Sequence, residues 1–571
     1  MDSTNRTVPR EYDDDGLPCW HSQTSPVSDT SRAECLLHPD RIIPIVFVPG
    51  IMGSNLKAKD PNLSNGIKNI WRPDSASCAI RIIKQGPAGR QAIFNPSNAI
   101  VDNALAVEGK RLVQVENGFG EKLLTARGWG TVYWNSYGPF LEYLEHELNE
   151  IMLWDSHRGS AEITSSWSAF HDGGNLIHTE GKEHLLKLST SELTNVAKYW
   201  YPVHAVGYNW LQSNEQSGKD LAAEIDRILA SYKVKWGSKA VKKVILVTHS
   251  MGGLVARAAV HPSIGNAQDK VLGILHGAMP ALGAPAAYKR MRAGNETGGI
   301  SPTKLATWLF LGAYGPDVTP VLAQSPGGLQ LLPNQTYPSG WLTIKINDTI
   351  YKVDGEPYDK IYQEKDKWWR LVNPAWLDPI NSSASSAHTD GPNANGLADK
   401  AWERYKFCLS SAQDFHKNLG NRYHPTTYSF YGSDPAHHSW GKIEWDIGTL
   451  RYAMRGPFSV FDSQQELKAL ALDGKPTSDD GAGTVEAKAS HASWMGDITD
   501  RFQLQDATTP GDGTVPQESG LAPGKVGGSI EQFGLTGFDH QSAYLPSMTE
   551  VMAVSKYAIA KIAQSADWAD S

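Results

Sequence analysis

The sequence contains few cysteines, and they are not spaced as metal ligands. The four are Cys19, Cys35, Cys78 and Cys408. They include no C-x-x-C pair and no zinc-type spacing, so we expect neither a metal site nor a cofactor. Cys19 and Cys35 would close a small N-terminal loop in an oxidising compartment, and the sequence leaves that pairing open.

The sequence also lacks an excess of basic residues and any long apolar run. Its 53 Lys and Arg residues stand against 61 Asp and Glu residues, which gives a formal net charge of -8 at pH 7. Because phosphate binding requires a basic surface, we exclude nucleic acid as a partner. No stretch approaches the roughly 18 apolar residues of a transmembrane helix, and the polar amino terminus does not resemble a Sec signal peptide. We therefore expect synthesis in the cytoplasm and, if the protein is exported, a route other than Sec.

Apolar runs and amphipathic stretches alternate along much of the chain. The runs at 42–48, 243–247 and 271–276 are continuous, as in strands buried on both faces of a sheet. Stretches 137–148 and 218–232 have apolar residues at helical spacing. Further strands are predicted at 201–208 and 426–432, and an apolar helical stretch at 544–562. This alternation predicts an α/β protein with a mostly parallel central sheet flanked by helices.

The alternation stops twice, and each interruption is long enough to form a cap or lid. We divide the chain into an N-terminal arm (1–40), a first core part (41–285, with an excursion at 57–130), a cap or lid insertion (286–420) and a second core part (421–571, with an insertion at 440–505). Insertions at these places would overhang one edge of the sheet.

Ser250 is the candidate nucleophile. It stands where the apolar strand breaks into small residues and a helix begins, which is the setting of an exposed serine on a sharp, strained turn. Gly252 supplies one of the small neighbours that such a turn needs, but Thr248 stands where the G-x-S-x-G pattern has its first glycine. The alternative is an exposed serine on an ordinary strand-to-helix connection.

Asp512 and His540 are the candidate acid and base. A serine hydroxyl needs a base, usually a histidine oriented by a carboxylate, and α/β hydrolases carry the three in the order Ser, Asp or Glu, His. Asp512 lies in a Gly-bracketed turn and His540 follows it, although an Asp-Gly turn is also common without any such role.

Other acids and histidines compete for these roles. Asp479 and Asp480 form a similar turn, but we expect no strand directly before it. Asp539 adjoins His540 and would point away from it, since neighbouring side chains diverge on an extended chain. His249 and His276 are alternative bases, which we interpret instead as polar residues satisfied at the sheet edge.

Two backbone N–H groups are candidates for an oxyanion hole. Met251 follows the nucleophile directly, and Met52 lies in the glycine-bracketed loop after the first strand, where a simple turn is the alternative. Ile51 and His249 are candidates for the substrate pocket. Trp308 and Phe310, in an apolar cluster of the first insertion, would cover the pocket or contact lipid unless they only pack in the core.

Five segments together resemble the lecithin:cholesterol acyltransferase-like lipases. They are residues 45–56, 208–210, 249–253, 328–333 and 511–515. The nucleophile region also resembles the GPI inositol-deacylase-like hydrolases. The resemblance implies an α/β-hydrolase fold with a lid, a triad of Ser250, Asp512 and His540, and oxyanion donors at Met52 and Met251. Thr248 departs from the pattern, as does Asn209, where such lipases often have aspartate.

The resemblance implies hydrolysis of lipid acyl esters through an acyl-enzyme. The substrate would be a lipid or phospholipid met at a membrane surface. Acyl transfer to another acceptor is an alternative with the same residues, and a binding protein on an inactive hydrolase scaffold is another. A lipase that lacks a Sec signal and has large insertions is also similar to the antibacterial effectors of type VI secretion. That similarity implies export to a target-cell periplasm or membrane, a component of the secretion apparatus as a partner, and an immunity protein.

Overall fold

The computed structural model of the protein describes most of the chain. The described residues are 5–8, 11–12, 18–19, 32–35, 41–115, 119–155, 160–180, 182–236, 242–294, 312–380, 393–447, 464–490, 498–526 and 530–566.

A six-stranded sheet forms the centre of the molecule. Its strands are β1 (Ile45–Val48), β2 (Val203–Ala205), β3 (Val244–His249), β4 (Val271–Gly277), β5 (Thr427–Gly432) and β6 (Glu531–Leu535). They lie in the order β2-β1-β3-β4-β5-β6, and every neighbouring pair is parallel. Because strands β3 and β4 are buried along their whole length, their sequences are apolar runs without polar alternation.

Helices cover both faces of this sheet. The main helices of the core are α1 (Trp134–Glu147), α2 (Asn214–Trp236), α3 (Gly252–Val260) and α6 (Thr549–Ala563), whereas α4 (Pro285–Ala293) and α5 (Asn393–Leu419) lie at the start and the end of the first predicted insertion. Alternate residues of β3 enter different apolar clusters, as the two-residue period of a strand requires. Leu246 packs in the cluster that contains α2 and α3, whereas Val247 packs in the cluster that contains α1 and α6. The predicted helix-covered parallel sheet is therefore confirmed.

Proline shortens two of the predicted elements. The run predicted as one strand at 42–48 contains Pro44, which cannot donate to a ladder, and the structure has two strands there, Arg41–Ile42 and Ile45–Val48. Helix α6 begins at Thr549 and not at Tyr544. Pro546 lies between these two positions and disfavours helical backbone at the residue before it.

A second six-stranded sheet has strands from both segments that the sequence predicts to be insertions, and we name it the cap sheet after that prediction. In spatial order its strands are Thr349–Lys352, Leu342–Ile346, Ile443–Asp446, Ile498–Leu504, Thr484–Ala489 and Lys475–Asp479. The two insertions meet where Leu342–Ile346 pairs in parallel with Ile443–Asp446. Trp368 stacks on Phe502 with ring centroids 4.0 Å apart, and both fully buried rings pack beside the cap sheet.

Shorter elements complete the described chain. The other helices of the excursion and the core are Ala76–Ile83, Pro87–Ile93, Glu121–Ala126, Ser165–His171, Thr190–Val196 and Gln517–Gly520. The cap adds Gly315–Leu322, Pro326–Leu329 and Gln464–Asp473. Paired short strands are Leu56–Ala58 with Ala99–Val101, Met152–Asp155 with Ser160–Ile163, Asn175–Thr179 with Lys182–Leu186, and Asp434–Ser439 with Thr509–Gly511.

Within the described ranges, no helix combines the length and apolar character needed to cross a bilayer. No group of three or more His, Cys, Asp or Glu side chains is arranged for a metal ion in the same part of the chain. Cys78 and Cys408 carry free thiols. The side chains of Cys19 and Cys35 lie outside what the structure describes.

Candidate active site

Ser250 lies at a strained turn between β3 and α3. Its φ of 53° is in the left-handed region, which residues other than glycine rarely adopt. The Ser250 N–H donates to the Gly277 carbonyl at 2.8 Å, which ties the turn to the end of β4. A Cβ on Gly252 would come within 2.4 Å of the Pro49 carbonyl oxygen, so only glycine fits there. This geometry matches the strained, closely packed turn predicted for a nucleophile.

Thr248 fits the strand although a glycine is usual at its position. It is the last residue but one of β3 and pairs with His276 on β4. Its hydroxyl is 3.0 Å from His276 Nδ1, and its carbonyl accepts from the Tyr544 hydroxyl at 3.0 Å. The hydroxyl of Thr248 is thus buried with a partner, and the turn that contains Ser250 still forms.

Asn209, the other departure from the resembled pattern, is also explained by its contacts. Its buried amide donates to the carbonyls of Pro96 and Ala99 at 2.9 and 3.0 Å, and its side-chain oxygen accepts from the Leu211 N–H. An aspartate has no hydrogen to donate to the two carbonyls.

The structure brings Ser250, Asp512 and His540 into one hydrogen-bonded row. His540 Nε2 lies 2.8 Å from Ser250 Oγ, and His540 Nδ1 lies 2.8 Å from Asp512 Oδ2. The His540 N–H also donates to the Asp512 carbonyl at 2.8 Å, so main chain and side chain fix the pair together. Ser250 is 4% exposed, His540 9% and Asp512 0%, which places the row in a low-dielectric interior.

Asp512 is held as a carboxylate. Burial alone would raise its pKa, but the neighbouring His540 and the N–H groups of Val515 and Thr514 outweigh burial and lower the pKa below its ordinary value. Those two N–H groups both donate to Oδ1, at 2.7 and 3.0 Å. Oδ2 is therefore left for the histidine, and the carboxylate can stabilise a positive charge on that ring.

The rival carboxylates have other partners. Asp479 lies 2.6 Å from the Arg292 guanidinium, and Asp480 accepts from two N–H groups of its own turn. The expectation that no strand precedes this turn is wrong, because Lys475–Asp479 is an edge strand of the cap sheet. Asp539 accepts from the N–H groups of Gln541 and Ser542, each at 3.0 Å.

His276 and His249 are buried neutral imidazoles. Burial, with Arg257 and His424 nearby, lowers the pKa of His276 to about 3. Burial and the adjacent His540 likewise lower the pKa of His249 to about 3. The His276 ring is bonded to Thr248, as described above, and not to the nucleophile.

His249 supports the backbone of His540. His249 Nε2 is 2.9 Å from the His540 carbonyl oxygen, which only accepts, so Nε2 carries the hydrogen. The neutral ring then accepts at Nδ1, where the Tyr137 hydroxyl lies 2.8 Å away. Because His249 is only 4% exposed, it contributes little open surface to a pocket. The sequence predicts a helix around Tyr137 but does not indicate this contact.

The loop after β1 lies directly against the nucleophile. A Cβ on Gly50 would come within 2.9 Å of the Ser250 Cβ, and the Gly53 N–H closes a turn onto the Gly50 carbonyl at 3.0 Å. Met52, the third residue of this turn, has a φ of 62°. Among the described residues, neither the Met52 N–H nor the Met251 N–H donates to a backbone carbonyl of another turn or loop. Their role as oxyanion donors stays a prediction.

Part of the predicted pocket falls outside the described residues. Trp308 and Phe310 lie within 295–311, which the structure does not describe. Ile51 is half-buried on the turn that precedes Met52. The role of these residues in covering a substrate therefore stays a prediction.

Buried neutral histidines predict an acid-sensitive fold. The pKa values of His249 and His276 are lowered to about 3 and that of His416 to about 4, and burial also lowers the pKa values of His204 and His424. Unfolding returns each to its ordinary value of 6.5, so between pH 6.5 and about 4 the unfolded chain binds more protons. The contribution of these histidines to stability is therefore fully present above pH 6.5 and falls with decreasing pH, by up to about 1.4 kcal/mol per pH unit for each histidine. The lowered pKa of Asp512 extends this loss below its ordinary 3.8.

Guanidinium unfolding between pH 7.5 and pH 4 measures this slope. His416→Gln is a suitable variant, because the glutamine amide can replace His416 Nε2, which donates to the Gln330 carbonyl at 2.8 Å. We expect the variant to reduce the slope by about 1.4 kcal/mol per pH unit, since one titrating group is lost. A wild-type stability independent of pH over this range would contradict the prediction.

Comparison with known proteins supports the fold. Residues 215–293, which run from within α2 to the end of α4, match the model of the PGAP1-like alpha/beta domain. No protein with a curated description matches the chain significantly. The chain is similar to one in the crystal structure of the Tle4-Tli4 complex, with 28% identity over 92% of this chain and 99% of that chain and a TM-score of 0.70. The α/β-hydrolase fold and the resemblance expected from the sequence are thereby confirmed.

A second solved structure matches less closely. The mature form of the Bacillus licheniformis lipase BlEst2 is 12% identical, with 64% of this chain and 83% of that chain covered and a TM-score of 0.23.

Proposed function

We propose that the protein is a serine hydrolase that cleaves acyl esters of lipids or phospholipids. The observation that carries the proposal is the row Ser250–His540–Asp512, with 2.8 Å at both contacts, beside a serine in the left-handed conformation. Ser250 Oγ attacks the ester carbonyl while His540 Nε2 takes its proton, and Asp512 stabilises the resulting imidazolium. The N–H groups of Met52 and Met251 bind the developing oxyanion. His540 then returns the proton to the leaving alcohol, and water hydrolyses the acyl-enzyme by the same steps in reverse.

Mass spectrometry of lipids incubated with the protein tests this proposal. Wild-type protein should convert phospholipids or neutral lipids to free fatty acids, whereas Ser250→Ala should not. A fluorophosphonate should label the wild type at Ser250. Fatty-acid release that persists in Ser250→Ala would refute the proposal, and a correctly folded wild type that resists the fluorophosphonate would favour a binding role on an inactive scaffold.

Acyl transfer is the alternative chemistry at the same residues. The acyl-enzyme would then react with an alcohol in place of water. Adding a long-chain alcohol to the incubation separates the two reactions, because a hydrolase yields fatty acid while a transferase yields a new ester.

We further propose that the protein is an antibacterial effector of type VI secretion. The similarity to a chain of the Tle4-Tli4 complex supports a protein partner for this chain, for which we propose an immunity function. Directed to the periplasm by an added signal sequence, the wild type should arrest growth, and Ser250→Ala should not. The wild type retained in the cytoplasm should be tolerated, and the partner co-expressed in the periplasm should restore growth. Equal growth in both compartments would contradict the effector role.

A substitution of His249 tests whether the activity depends on the support that His249 gives to the backbone of His540, the proposed base. His249→Phe removes the donor to the His540 carbonyl but keeps a buried ring of similar size. We expect kcat on an acyl ester to fall about tenfold, because His540 loses one of the contacts that fix its position. His204→Phe is the control, since its ring is similarly buried but bonded to the Tyr232 hydroxyl. An equal loss of kcat in both variants would assign the effect to general packing.

A further inference from the structure

The turn that carries Met52 is held in an unfavourable conformation. It runs from Gly50 to Gly53, and its third residue has a φ of 62°, a value at which such turns usually have glycine. A side chain there costs free energy, so the turn keeps this shape only where surrounding contacts impose it. The shape matters because it decides where the Met52 N–H points.

The Trp71 side chain supplies such a contact. Its indole Nε1–H donates to the Met52 carbonyl at 2.6 Å. The φ and ψ of Met52 set the direction of this carbonyl relative to the Met52 N–H, so fixing the carbonyl restricts the residue's conformation. The contact joins the excursion at 57–130, for which the sequence suggests no role, to the loop against Ser250.

Trp71 is itself held rigidly. It is 3% exposed, and its backbone pairs with Leu56 through two hydrogen bonds of 2.9 and 3.0 Å. Its ring packs against Trp210 and Phe94, with centroid distances of 5.5 and 6.1 Å. Since Leu56 lies only three residues after Gly53, the same short segment carries both the turn and the support of the indole.

We propose that Trp71 is a positioning residue that holds Met52 in the left-handed conformation and so directs the Met52 N–H toward the oxyanion formed at Ser250. This inference rests on the proposed ester hydrolysis. The indole touches no reacting atom and acts through the orientation of one peptide group.

Trp71→Phe tests the proposal, because phenylalanine keeps an aromatic ring and removes only the donor. With a short-chain p-nitrophenyl ester, we expect kcat to fall about tenfold with KM unchanged, since an oxyanion donor acts on the transition state and not on the bound ester. The affinity for a trifluoromethyl ketone, whose adduct with serine carries an oxyanion, should fall by the same factor.

Trp167→Phe is the matched control. Trp167 is also fully buried, but its indole N–H donates to the Glu147 carbonyl at 2.9 Å and its ring does not pack against Trp71. Losing that N–H should leave kcat and ketone affinity unchanged, whatever the two substitutions do to the melting temperature. Equal losses of kcat in the two variants, or a change in KM alone, would overturn the role of Trp71.

Met52→Gly provides a rescue that a purely structural role of Trp71 does not predict. Glycine adopts positive φ without penalty, so the turn no longer depends on the indole. The double variant Met52→Gly, Trp71→Phe should therefore have a higher kcat than Trp71→Phe alone, and an equal or lower kcat would count against the proposal. A wild type that releases no p-nitrophenol overturns the proposed hydrolysis and this inference together. An active wild type with an unimpaired Trp71→Phe variant overturns only this inference.

Discussion

Ser250→Ala is expected to lower kcat on acyl esters by about 10⁶-fold, because no acyl-enzyme can form without the hydroxyl. The remaining rate would come from the oxyanion donors and His540 acting on bound substrate with water. The loss should appear in kcat with little change in KM, since the Ser250 Oγ contributes its covalent bond only in the transition state.

The control for this variant is Ser555→Ala. Ser555 is also a buried serine, but its hydroxyl donates to the Val551 carbonyl within helix α6. Its removal should affect stability slightly and leave kcat unchanged. A Ser250→Ala variant that keeps even one hundredth of the wild-type kcat would mean that another group attacks the ester.

Asp512→Asn is expected to lower kcat by about 10⁴-fold, because the asparagine would hold His540 in the tautomer that cannot act as a base toward Ser250. The N–H groups of Thr514 and Val515 both donate to one oxygen of Asp512, so the asparagine must place its carbonyl oxygen there. Its NH₂ group then faces His540 Nδ1 and forces that nitrogen to accept. The hydrogen moves to Nε2, which can no longer take the proton of Ser250.

Two measurements distinguish this effect from a loss of folding. The melting temperature of Asp512→Asn should lie close to that of the wild type at neutral pH, and proton NMR should show the His540 ring hydrogen on Nε2. Asp480→Asn is the control, because Asp480 lies in a similar Gly-containing turn of the cap. Comparable activity in Asp512→Asn and Asp480→Asn would refute the role of Asp512.

The sequence predicts five of the six strands of the central sheet, because their signals are local, but it does not predict β6. Strands β3 and β4 begin as apolar runs, which is the pattern of buried parallel strands. The turn between a strand and a helix indicates Ser250, and the order Ser, Asp, His along the chain indicates Asp512 and His540. Their roles as catalytic groups stay a proposal, although their hydrogen bonds agree with it.

The contacts that support the site are not predictable in this way. Trp71 meets the Met52 carbonyl and His249 meets the His540 carbonyl, and a carbonyl group is present at every residue. The sequence therefore does not indicate which carbonyl group a given side chain will contact. Thr248 shows the same limit, since its hydroxyl is tolerated only because His276 lies opposite on the next strand.

The cap sheet has a consequence for how the chain can be cut and how it folds. Its strands Leu342–Ile346 and Ile443–Asp446 are neighbours in space, yet core strand β5 lies between them in the sequence. Deleting either insertion alone would expose an unpaired strand of the other, and such edges pair with other chains and aggregate. During synthesis the edge of Leu342–Ile346 stays unpaired until Ile443–Asp446 has left the ribosome. We therefore expect a shortened chain to stay soluble only if both insertions are removed together.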